Sequence, residues 1–151
     1  LLRAQLDGDG THPGWVVSLQ DPRIARAIGA LLDAGETRPS AEDLAIVAGM
    51  SRAAFQRQFL DIVGMTVADF DVRLRIHRAA MLLVETDLPV NNIAAAIGYA
   101  SRSHFSRAFR KVMGADPTRF RQDHASGGST NYLKDFFKAL FGAKAGESAP
   151  D

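Results

Sequence analysis

Arg57 and Arg107 stand 50 residues apart, each two residues after one Phe and two before another. The surroundings repeat with them. The first stretch reads Gly49-Met50-Ser51-Arg52-Ala53-Ala54-Phe55-Gln56-Arg57-Gln58-Phe59, and the second Gly98-Tyr99-Ala100-Ser101-Arg102-Ser103-His104-Phe105-Ser106-Arg107-Ala108-Phe109. With Ser51 laid on Ser101, five pairs are identical: Ser51/Ser101, Arg52/Arg102, Phe55/Phe105, Arg57/Arg107 and Phe59/Phe109. The register continues through Gly64/Gly114 and Phe70/Phe120. A unit recurring at fixed offset is the signature of a duplicated architecture. The polar residues beside the Phe pairs have a definite chemistry. Arg presents a fork that matches guanine and Gln one that matches adenine, each pairing worth roughly 1–3 kcal/mol of discrimination. Ser and Ala add short hydrogen bonds or contact with a thymine methyl.

Those side chains need a rigid helix behind them. Phe55, Phe59 and Ile62, like Phe105, Phe109 and Val112, recur at i, i+4, i+7 and predict one inward face. The opposite face then carries Arg52, Ala53, Gln56 and Arg57 in the first copy and Arg102, Ser103, Ser106 and Arg107 in the second. These positions come early in each helix, where a recognition helix meets base edges. His104 shares the second helix, with a phosphate contact or a solvated core-edge place open to it. A lone Arg on a helix face most often pairs with a nearby carboxylate. Two at matched positions, each with a capping Ser and two Phe, point instead to binding.

The remaining elements follow from caps and breaks. Asp21 with Pro22 predicts the start of a first helix ending near Gly35, with Ile24, Ile28, Leu31 and Leu32 inward. Ser40 with Asp43 approximates a capping box, and Gly49 stops that second helix. The pattern over 67–85 predicts a long helix of about 28 Å, its stripe drawn from Phe70, Leu74, Ile76, His77, Met81, Leu82 and Val84. Pro89 opens a fifth helix with Ile93, Ala94 and Ile97 inward, Ser101 caps a sixth, and Pro117 starts a short last helix containing Phe120. The fold class expected is all-α: two helix-turn-helix subdomains, about 40–64 and 89–114, joined by the linker helix at 67–85. Such a linker can separate two recognition helices by about one DNA turn, ~34 Å, so that both enter successive major grooves without dimerisation. Helix N-termini near Ser40 and Val90 offer amide groups suited to phosphate.

Composition narrows the classes. The chain has 151 residues, 46% of them hydrophobic, and no cysteine, which removes disulfides, thiolate metal sites and thiol nucleophiles. No run approaches the ~18 apolar residues of a membrane span and no signal segment opens the chain; a cytoplasmic location is expected. Net charge is +1, but residues 51–121 hold eleven basic and six acidic side chains, while 1–50 hold four and seven. The basic excess lies over the repeat, as phosphate binding requires. Asp7-Gly8-Asp9-Gly10 lacks the closing glutamate of a calcium loop. His12, His77 and His124 have no ligand spacing. No metal, cofactor or enzymatic activity is expected. Residues 125–151 read as a flexible linker and an amphipathic tail helix at 131–144, with Leu133, Phe136, Phe137, Leu140 and Phe141 on one face.

Residues 87–121 closely resemble the signature of the AraC/XylS family of bacterial transcriptional regulators. The pieces that carry the resemblance are the Gly98-Tyr99 turn, Phe105-Ser106-Arg107 with Phe109, and Gly114 followed by Pro117, Phe120 and Arg121. The resemblance extends over about 21–123. It implies a bacterial transcription regulator, more often an activator, with base-reading residues at Arg52, Ala53, Gln56 and Arg57 and at Ser103, His104 and Arg107. Members often have a larger side chain at the Ala53 position. Residues 14–23 are similar to the junction that follows a cupin sensor, which implies that 1–20 link to an effector-binding domain outside this chain. Double-stranded DNA is the expected partner, with RNA polymerase beside it. The competing expectation is a helical protein-interaction module contacting polymerase or a partner subunit, in which Arg57 and Arg107 are dispensable.

Overall fold

The structure, a computed structural model, describes residues 21–35 and 37–125. The linker at 1–20, the Asp7-Gly8-Asp9-Gly10 stretch and the tail helix at 131–144 lie outside them. Among the described residues there are seven helices and no strand: α1 (Pro22–Asp33), α2 (Ala41–Ala48), α3 (Arg52–Val63), α4 (Val67–Glu85), α5 (Val90–Ala96), α6 (Arg102–Met113) and α7 (Pro117–Asp123). None of them is long and apolar enough to cross a membrane. The chain divides into two compact units after Val72, within α4.

In the first unit each start signal is satisfied as its sequence predicts. Asp21 caps α1 by accepting from the Arg23 backbone N–H at 2.9 Å, and Pro22 needs no partner at the first helical position. Ser40 and Asp43 form a full capping box: Ser40 Oγ accepts from the Asp43 N–H at 3.1 Å, and Asp43 Oδ2 accepts from the Ser40 N–H at 3.0 Å. Chiefly the Ser40 backbone N–H, and after it the Ser40 side chain, hold the Asp43 carboxyl below the usual carboxylate pKa. The core joins Ile24, Ala27, Ile28 and Leu31 to Leu44, Ala45 and Ala48, and to Phe55, Phe59 and Val63. Each fully buried Phe contributes roughly 1.5–3 kcal/mol.

Three expectations change in detail. The third inward residue of α3 is Val63, not Ile62, which is only half-buried. α1 stops at Asp33, before Gly35. The long helix has two buried stripes: Phe70, Leu74 and Met81 form one, and Ile76, Ala79, Ala80 and Leu83 the other. Leu82, Val84 and His77, named for a single stripe, are half-buried.

That second stripe reveals how far the duplication extends. Ile76, Ala79, Ala80 and Leu83 follow Ile24, Ala27, Ile28 and Leu31 by 52 residues, and all eight are at most 1% exposed. The later part of α4 is therefore the second unit's version of α1. Ile93, Ala94 and Ile97 follow Leu44, Ala45 and Ala48 by 49 residues, and α6 follows α3 by 50. The offset changes because the connections differ in length, while the packing positions persist.

The ends of the two equivalent helices are capped by arginines from different places. In the first unit Arg38 donates to the Leu31 and Ala34 carbonyls at 3.3 and 3.1 Å and is held by the Asp71 carboxylate. In the second, Arg121 donates to the Leu83 and Thr86 carbonyls at 3.0 and 3.2 Å. Asp71 and Arg121 occupy the same repeat position with opposite charge. One anchors a capping arginine and the other is one.

Candidate nucleic-acid interface

Both recognition helices are set by the same local chemistry. Gly49 and Gly98 have φ of 71° and 93°, a region that L side chains avoid. The chain reverses there: the Met50 N–H reaches the Ala45 carbonyl and the Tyr99 N–H the Ala94 carbonyl, each at 2.9 Å, the arrangement of a Schellman stop. Ser51 Oγ then accepts from the Ala54 N–H and Ser101 Oγ from the His104 N–H, each at 3.2 Å. A turn of three residues and a capped start thus fix where α3 begins. The second turn is one residue longer, with Tyr99 and Ala100 between Gly98 and Ser101.

The Phe residues fix how each helix rolls. Phe55 and Phe59 lie 5.7 Å apart at 56°, and Phe59 meets Phe70 edge-on at 5.6 Å and 79°. Phe105 and Phe109 lie 5.7 Å apart at 54°, and Phe109 meets Phe120 at 5.3 Å and 79°. Such tilted and edge-on pairs add about 0.5–1.5 kcal/mol beyond burial. With Phe55, Phe59, Phe105 and Phe109 at 0% exposure, neither helix can turn its polar side inward.

The candidate residues fall on the side this leaves free. Arg52, Ala53, Gln56 and Arg57 are exposed on α3, and Arg102, Ser103, His104 and Arg107 on α6; Ser106 is half-buried. Among the described residues, neither Arg57 nor Arg107 is tied to a carboxylate. Their donors face solvent, as a bidentate reader requires before it meets its base. Gln58, next to Arg57, is turned away from this face and donates to Asp21 Oδ2 at 3.3 Å. Asp21 also accepts from the Arg23 guanidinium at 3.2 and 3.1 Å, and chiefly this bond holds its carboxyl below the usual carboxylate range, against an opposing effect of burial.

The second helix has neighbours that the sequence reading did not assign to the site. Tyr99 lies edge-on to the His104 ring at 5.8 Å and 87° and tilted against Phe105 at 5.7 Å. The Arg75 guanidinium sits 4.7 Å from the Tyr99 ring centroid, within cation–π range. Arg102 Nη2 donates to Thr118 Oγ1 at 3.4 Å. The visible signal for Tyr99 was the extra residue in its turn; Thr118 had none. Among the described residues no group of His, Asp or Glu is placed to hold a metal ion.

Comparison with known proteins matches this architecture. The profile of a helix-turn-helix domain family, of AraC type, covers residues 44–123. The chain is 36% identical over 104 residues to the RCS-specific HTH-type transcriptional activator RclR of Escherichia coli K12, covering 69% of this chain and 37% of RclR. In structure it is similar to an AraC-type DNA-binding domain-containing regulator from Chromobacterium violaceum, with TM-score 0.67, 29% identity, and coverage of 71% of this chain and 96% of that one. It is also similar to the DNA-binding domain of AdpA, solved in complex with a target DNA, with TM-score 0.62, 28% identity, and coverage of 69% and 93%. The chain spans about two fifths of the length of the curated relatives it matches.

Proposed function

The chain belongs to the AraC-type helix-turn-helix family, and on that footing we propose that it binds double-stranded DNA sequence-specifically through α3 and α6 and regulates bacterial transcription. The observation that carries the proposal is the duplicated exposed face: Arg52, Gln56 and Arg57 on one buried-Phe helix, Ser103 and Arg107 on the other. Each helix presents fork-bearing side chains whose roll is fixed by its core, so the reading residues are preorganised. The two helices enter successive major grooves on one side of the duplex, which places two base blocks about one helical turn apart, ~10 base pairs.

Within this function the chain acts as an activator that contacts RNA polymerase as well as DNA. RclR, which it resembles, is named an activator. Apolar side chains also stand exposed in the first unit, with Ile46 at 72% and Leu60 at 46%. The test is a comparison of the intact chain with Arg57→Ala, Arg107→Ala and the double variant in salt-dependent DNA titrations. DNA reading predicts that each single variant loses roughly 1–3 kcal/mol on a selected duplex and that the intact chain weakens steeply as salt rises. A helical interaction module predicts no response to either change, and that result would displace the DNA reading.

A further inference from the structure

The matched arginines Arg52 and Arg102 look equivalent in sequence but have different surroundings. At about 100° per residue, Ser103 and Arg107 lie opposite the buried Phe105 and Phe109. Arg102 and Ser106 lie toward one flank of α6 and His104 toward the other. Both of the N-terminal flank residues are tethered. Arg102 donates to the Thr118 hydroxyl on α7, and His104 packs edge-on to Tyr99, whose ring also meets Arg75. Among the described residues the first unit has neither tether. Thr118 is replaced at the repeat position by Ala68 and Tyr99 by Met50, and His104 by Ala54, which is half-buried.

We propose that Arg102, with Thr118, and His104, braced by Tyr99, contact backbone phosphates on the two sides of the groove, so that base reading by α6 narrows to Ser103 and Arg107 while Arg52 remains a base reader. This rests on the DNA reading above. Arg52 lies on the same flank of α3, so what sets Arg102 apart is its tether: a guanidinium with one N–H held on Thr118 is poorly placed for a bidentate pair in the groove. It is well placed as a point charge on a phosphate, and the Thr118 hydroxyl that accepts from it keeps its own hydrogen for a phosphate oxygen. His104 has a ring edge against Tyr99 and is otherwise exposed, which suits a single N–H donated to the opposite backbone. The recognition helices are thus unequal: the first reads with three fork-bearing residues, and the second grips with two and reads with fewer.

The test uses the full 151-residue chain, a selection from a randomised duplex pool, and salt titrations on the selected and an unrelated duplex. One phosphate contact by a cation changes log K by about 0.9 per tenfold change in salt, which is roughly fivefold in affinity at ~0.15 M against 1 M. Arg102→Ala is therefore expected to lose roughly fivefold on both duplexes, flatten the salt slope by about 0.9 and leave the selected motif unchanged. Arg102→Lys is expected to restore affinity with the same motif, because a point charge suffices at a phosphate but not at a bidentate base site. His104→Ala and Tyr99→Leu are expected to weaken both duplexes by one common factor, and Tyr99→Phe to preserve binding. If Arg102→Ala or His104→Ala erases the preference at one base position, or if Arg102→Ala leaves the slope unchanged, the phosphate assignment is wrong while the DNA reading stands. If the intact chain selects no motif, both fall together.

Discussion

Gly49→Ala isolates the backbone chemistry that aims the first recognition helix. A Cβ built on Gly49 meets nothing within 4 Å, so no clash contributes. What remains is φ of 71°, a left-handed conformation that costs an L residue roughly 1–2 kcal/mol. Alanine also reduces the freedom of the unfolded chain, which offsets about 0.4–1 kcal/mol. The net loss is then about 1 kcal/mol. Asn tolerates this conformation better than other L residues, and Val, branched at Cβ, tolerates it worse. The expected stability order is Gly, Asn, Ala, Val, read by urea denaturation with helical circular dichroism. DNA affinity of Gly49→Ala should fall only as far as the folded fraction does. A loss above about 3 kcal/mol for alanine, more than the left-handed cost allows, or Val matching Asn, would show that the backbone conformation of Gly49 does not set the cost.

Further outcomes follow from the capping and charged groups. Arg121→Met leaves the Leu83 and Thr86 carbonyls without their charged donor and should cost about 1–3 kcal/mol in the same denaturation assay. Because the Asp21 carboxyl is held below its ordinary pKa, the stability it confers is present above the unfolded value and is lost as pH falls through the folded one. Asp21→Asn should therefore destabilise the chain at pH 7 and narrow its gap to the parent in acid, seen by melts across the acid range. Ser51→Ala and Ser101→Ala each remove a side-chain cap and should each lower stability by about 0.5–2 kcal/mol.

Much of this architecture was legible because local signals agreed with one another. Asp21-Pro22, Ser40 with Asp43, Ser51, Ser101 and the glycine stops each state a helix boundary in the chemistry of one or two residues, and the helices begin where those residues place them. The Phe55/Phe59 and Phe105/Phe109 pairs announced the buried faces for the same reason. What stayed hidden depends on tertiary packing. A single-stripe reading of α4 named Leu82 and Val84 and missed Leu83, Ala79 and Ala80, because a helix buried along two stripes has no simple period. A fixed 50-residue offset also concealed the correspondence of α1 with the end of α4, since connections of unequal length shift it. The Arg38–Asp71 and Arg102–Thr118 contacts join residues 33 and 16 positions apart, and nothing in local spacing marks them. Ser106, named for the site, is half-buried because it sits at the edge of the Phe105 face.

Whether both units read bases at once is decided by selection of this chain against a randomised duplex pool at ~150 mM salt, followed by sequencing of the survivors. Two enriched blocks about ten base pairs apart are expected, a spacing of one helical turn. In that motif Arg57→Ala should blur the first block and Arg107→Ala the second. A single block insensitive to Arg107→Ala, or no enrichment at all, would contradict reading by both units at once.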